Sequence, residues 1–215
     1  MGSRLRSFSL LGLCVRARLL MGVACIAALA SCATPGADSG FPTKQSINSE
    51  IERFSKVMQV QTSNVKGFQD LAPHRGGLFV VRVPQRELCA VVANRGHYSS
   101  SYVMKFMKEM GVQGEGPSFA VAHEITHCLY SKEQSLSIIQ RFLPDIDDPA
   151  LASELLADAS GLVYLKRTGL DYAQALAVVQ RHRKWNVLSA RYNTGAHLSE
   201  QLLASIEKEV FFLKN

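Results

Sequence analysis

In the stretch FAVAHEITHCLY, residues 119–130, two histidines stand four apart around a glutamate. A helix turns about 100° per residue, so His123 and His127 would project from one face and aim two imidazoles at a single ion. Glu124, one residue round from the first histidine, is badly placed to be a third ligand. It is well placed to take a proton from a water on that ion. A catalytic metal site of this type has three protein ligands and an open position, so a third ligand must come from elsewhere. The segment ELLAD, residues 154–158, offers one. Glu154 and Asp158 share a helix face by the same spacing argument. Glu154 completes a His, His, Glu set, and Asp158 can accept the free ring N–H of a ligating histidine, fixing its tautomer and raising its basicity.

Taken together, HExxH at His123–His127 and ExxxD at Glu154–Asp158 resemble the motifs of the gluzincin metallopeptidases, and the ExxAD form is most similar to the CAAX-prenyl-protease-like class of that group. The resemblance rests on two helices between positions 119 and 162. It implies a zincin-like domain with zinc held by His123, His127 and Glu154, Asp158 behind them, and Glu124 as general base in hydrolysis of a protein or peptide substrate. It also implies an extended substrate pairing with a sheet edge beside the metal, for which the strand around Leu88–Ala93 is the expected edge. Members of the class use a downstream histidine or arginine near the reaction centre, and His197 in TGAHLSEQL is the expected counterpart here, with an ordinary surface histidine as its alternative. The chain departs from the class at Thr126, where glycine often precedes the second histidine, and by lacking the membrane-spanning helices of many members.

The elements that must position these residues are legible from apolar spacing and punctuation. Ser49 with Glu52 has capping-box spacing, and Ile51, Phe54, Val57 and Met58 follow on one helical face. The runs Leu78–Val83 and Leu88–Ala93, separated by a short connection with Pro84, predict a β-hairpin. Tyr102, Val103, Phe106, Met107 and Met110 predict a helix ending at Gly111, with Met104, Met107 and Met110 in its core. Gly116 as cap and Pro117 as first helical residue would start the HExxH helix. Asp148 and Pro149 start the ELLAD helix, which Gly169 closes. Further helices are expected from Asp171 to about Trp185 and from Leu198 to Phe212. The expected fold is α+β, mostly helical, with a small antiparallel sheet. His74, His97 and His182 lack partnered spacing and are expected to be exposed.

Arg4, Arg6, Arg16 and Arg18 precede the apolar run LLMGVACIAALA and a small-residue end, the pattern of a secretory signal over residues 1–31. Those four arginines are the only charges in that segment, so the net charge of +6 falls to +2 once it is removed (24 − 4 = 20 basic against 18 acidic residues). No basic stripe with interleaved aromatics survives, so no nucleic-acid partner is expected. The end of the segment, LASC, resembles the bacterial lipobox and implies lipidation at Cys32, membrane association through the lipid and a place in the cell envelope. By the same resemblance, Ala33 in place of aspartate after that cysteine implies the outer membrane, facing the periplasm. Residues 32–48, rich in Gly, Pro and small residues, are expected to be a tether, and residues 49–215 the folded domain. Cys14 and Cys25 leave with the signal. Cys89 and Cys128 then remain in an oxidising compartment, either bridged or as two buried thiols.

Two functions fit this reading. One is a lipid-anchored zinc endopeptidase of the envelope. The other is a non-hydrolytic envelope lipoprotein with a structural metal site, serving as an assembly or interaction scaffold. The intact Glu124 favours the first, since a structural site needs no base.

Overall fold

The computed structural model describes residues 42–70, 77–94, 107–111, 114–184 and 194–211. Cys32, His74, His97, Met104, Trp185 and most of the helix expected over 102–110 lie outside these residues, although residues 107–110 are helical and bury Met107 and Met110. The first helix, α1 (Lys44–Met58), starts before Ser49, within the expected tether. Thr43 is the cap: its hydroxyl accepts from the Ser46 N–H at 3.1 Å, and the Ser46 hydroxyl accepts from the Thr43 N–H at 2.8 Å. This reciprocal pair closes the helix end as Ser49 and Glu52 would have done. The earlier start adds Ile47 to the apolar stripe, and Ile47, Ile51, Phe54 and Met58 are all buried.

The strands are β1 (Val65–Asp70), β2 (Gly77–Val83) and β3 (Leu88–Asn94), in the spatial order β1-β3-β2. β2 and β3 form the expected antiparallel hairpin, Val80 opposite Val91, around a short 3-10 turn at Pro84–Arg86. β1 lies parallel to β3, so the sheet is mixed and not purely antiparallel. Its sequence, VKGFQD, has no sustained alternation and an interior glycine, which is why no strand is read there. The central position of β3 also overturns Leu88–Ala93 as the substrate edge, because both of its sides are paired. The unbroken apolar run from Cys89 to Ala93, buried throughout, is the signature of an interior strand. The free edges among the described residues belong to β1 and β2.

The HExxH helix, α2, spans Glu115–Leu129 and is capped at Gly114, two residues before the expected cap. Gly116 sits inside the first turn for a packing reason: a Cβ there would come 2.4 Å from the Met107 carbonyl oxygen. Pro117 in the same turn costs nothing, since first-turn N–H groups have no intrahelical acceptor. After α3 (Lys132–Ile139) comes α4 (Pro149–Thr168), capped by Asp148, whose carboxylate accepts from the Ala150 N–H at 2.8 Å, and closed by Gly169 at φ 74°. α5 (Tyr172–Lys184) and α6 (Glu200–Phe211) complete the domain. α4 is buried on every side from Leu155 to Leu165, as befits the helix on which the others pack. α2 meets it antiparallel, with Phe119 against Gly161, where a Cβ would stand 2.8 Å from the Phe119 ring. No helix among the described residues is long and apolar enough to cross a membrane.

Two ties fix the sheet to the C-terminal end of α2. Cys89 on β3 and Cys128 on α2 form a disulfide, with Cα atoms 5.6 Å apart. Arg82 on β2 donates to the carbonyls of His127 and, at 2.8 Å, Tyr130, placing a cation where the helix dipole favours one. The disulfide closes a sequence separation of 39 residues, for which chain entropy gives about 4 kcal/mol. The variant C89S/C128S is therefore expected to lose about 2–4 kcal/mol of unfolding free energy in a urea titration under oxidising conditions. Reductant should destabilise the native chain similarly and leave the variant unaffected.

Candidate metal centre

Helical spacing on α2 and α4, and the close approach at Gly161, bring His123, His127 and Glu154 together. The two Nε2 atoms stand 3.1 Å apart. Glu154 Oε2 lies 3.5 Å from His123 Nε2, and Oε1 lies 3.4 Å from His127 Nε2. These separations can be tested against a metal. An ion with ligands at about 2.0–2.1 Å in tetrahedral geometry has ligand–ligand edges of about 3.3 Å. Each contact is close to that length, with the two histidines facing different oxygens of Glu154, and the donor set of two imidazoles and one carboxylate suits a divalent transition ion.

The outward-facing atoms of both imidazoles are also held. His123 Nδ1 lies 2.9 Å from Asp158 Oδ1, as the ELLAD spacing predicts. His127 Nδ1 lies 3.1 Å from the Ser153 hydroxyl, one residue before Glu154. These neighbours flank the Nδ1 side of each ring, His123 Nδ1 by ion-pair distance without an aligned hydrogen bond, and leave the two Nε2 atoms facing Glu154. Asp158 is completely buried, and its other contacts come from residues absent from the sequence reading. Arg183 donates through Nε to Oδ2 at 2.9 Å and through Nη2 to Oδ1 at 2.8 Å, and the Thr194 hydroxyl donates to Oδ2 at 2.7 Å.

Burial and neighbours set the charge states. Burial alone would lower the His123 pKa, but Asp158 and Glu154 outweigh it and push the ring up to about 10. Burial would raise Glu154, yet both histidines and Arg183 hold its carboxyl well below the usual range. Asp158 is likewise kept low against its burial, by Arg183 and His123. Glu124 differs. Burial raises its carboxyl above the ordinary value, and the histidines beside it only partly offset this.

The site opens on a cleft of about 750 Å³. Leu78, Phe79, Val80 and Arg82 of β2 form one wall, α2 contributes Phe119, Ala120, His123, Glu124 and His127, and Ala150, Ser153 and Glu154 of α4 face them. Tyr130 to Glu133 and Arg183 complete the lining. His197 is not part of it. It follows the 3-10 turn Thr194–Ala196, its N–H bonded to the Thr194 carbonyl, and Arg183 is the downstream residue that lines the cleft instead. His182, expected to be exposed, is largely buried and stands 2.7 Å from Glu109. Thr126, at the position where the gluzincin class often has glycine, is buried and turns its hydroxyl back to the Ala122 carbonyl at 2.9 Å.

No family model, curated protein or solved structure matches the chain. The case for a metal therefore rests on the geometry itself. The purified chain is expected to bind one equivalent of a divalent transition ion, and H123A or E154A should abolish stoichiometric binding in elemental analysis after desalting. D158A should retain the ion more weakly, by roughly 10–100-fold in affinity, as befits a residue that orients a ligand without touching the metal.

Proposed function

We propose that the chain is a zinc-dependent endopeptidase of the bacterial envelope, anchored through lipid on Cys32. The observation that carries this reading is the set of three metal-ligand candidates beside an uncommitted Glu124, at the floor of a cleft bordered by the β2 strand edge. A structural zinc site is closed by four protein ligands and has no use for a base. This one has three among the described residues and faces a cavity large enough for a peptide segment, which argues against the scaffold alternative.

Zinc held by His123, His127 and Glu154 would supply Lewis acidity, polarising the scissile carbonyl and lowering the pKa of water. The protein groups do the rest. Glu124 accepts the proton of the attacking water and passes it to the departing amine nitrogen. Its carboxyl, raised by burial, holds that proton more readily than an exposed glutamate would. Asp158 and Ser153 keep the two imidazoles turned toward the site. The outer edge of β2, unpaired among the described residues, offers backbone groups to an extended substrate. Ionised Glu154 and the Arg183 guanidinium line the same cleft.

Glu124→Gln preserves size and shape but cannot accept a proton. Zinc content should stay at the wild-type level while turnover of a cleavable peptide falls at least about a hundredfold. Wild-type turnover in this variant would rule out the mechanism.

A further inference from the structure

Arg183 enters the site from α5, an element that carries none of the candidate ligands, and it meets Asp158 in a two-pronged arrangement. We infer that Arg183 is the positioning residue of the metal centre: its guanidinium locks Asp158, and through Asp158 the ring of His123, so that α5 sets how tightly the site holds its ion. The inference rests on the metal site and not on peptide hydrolysis.

Both oxygens of Asp158 are taken. Oδ1 faces Arg183 Nη2 and His123 Nδ1, at 2.8 and 2.9 Å, and Oδ2 accepts from Arg183 Nε and Thr194, at 2.9 and 2.7 Å. A planar guanidinium bonded to both oxygens fixes the plane of the carboxylate as well as its position. Without that fork the carboxylate could rotate about its side-chain bond and carry its Oδ1 away from His123. The ring would then lose the partner that sets its orientation and basicity. The same Nη2 lies 3.4 Å from Glu154 Oε2, a longer contact to a more exposed group, so the route through Asp158 dominates.

Charge alone predicts the opposite of positioning. Arg183 is a cation next to a cation site, and a purely electrostatic role would make its removal strengthen metal binding. A positioning role makes removal weaken binding. The sign of the change separates the two.

The test is zinc affinity of the full chain, measured by competition with a chelating dye. R183Q is expected to bind zinc about tenfold more weakly. R183K keeps the charge and a partner for Asp158, so it guards against misfolding, but a point charge cannot hold both carboxylate oxygens, and affinity should again fall several-fold. In a D158N background, which retains an acceptor for His123 but removes the locked carboxylate, adding R183Q should cost less than about threefold further. Unchanged or tighter zinc binding in R183Q or R183K would overturn the inference, as would an equal loss from R183Q with and without D158N. None of these outcomes depends on whether a peptide is cleaved.

Discussion

The contact between Asp158 and His123 is the constraint on which the candidate site depends, and it is costly to build. A carboxylate with no exposure to solvent is tolerated only when its oxygens are matched by donors and charge. The fold supplies Arg183 from α5, Thr194 from the following turn and the ring of His123 from α2. Three separate parts of the chain therefore converge on one side chain of α4. Removing any of them leaves a buried charge short of a partner. A proton and a metal ion compete for the same Nε2 of His123. The carboxylate that raises the ring's proton affinity is thus also what would make it a strong ligand for a bound ion.

Backbone geometry serves the same end. α2 and α4 must run close and antiparallel for His123 to reach Asp158 while His127 reaches Ser153, and Gly161 against Phe119 permits that approach. The sheet must then stand at the correct distance from α2 to leave a cleft and not a closed interface. The Cys89–Cys128 bridge and the Arg82 contacts hold it there, one from the central strand and one from the edge strand. They grip the end of α2 that carries His127. The first histidine is fixed by α4 and α5, the second also by the sheet.

Much of this was legible in the sequence because it follows from local spacing. The i, i+4 pairs on two helices are sufficient to nominate His123, His127, Glu154 and Asp158, and Asp148, Pro149 and Gly169 mark the bounds of α4 without tertiary information. What was missed depends on contacts between distant segments. Arg183 is 25 residues from Asp158, in a run with Arg181 and His182 that reads as a solvated charged face. Only the general requirement that a buried acid have a cation pointed to such a residue. β1 was illegible because a parallel strand beside a buried neighbour needs no alternation of its own, and the true start of α2 because Gly116 serves the passage of Met107 and not a cap. Ser153 was within reach: a second ligating histidine needs its own partner, and that serine precedes Glu154 on the same helix.

In the proposed centre two imidazoles and one carboxylate share a single ion. X-ray absorption at the zinc edge of the loaded protein tests this most directly. It should show a four-coordinate ion with nitrogen and oxygen neighbours at about 2.0–2.1 Å and the outer-shell scattering of two imidazole rings. A sulfur shell near about 2.3 Å, or scattering from fewer than two imidazoles, would place the metal elsewhere and contradict it.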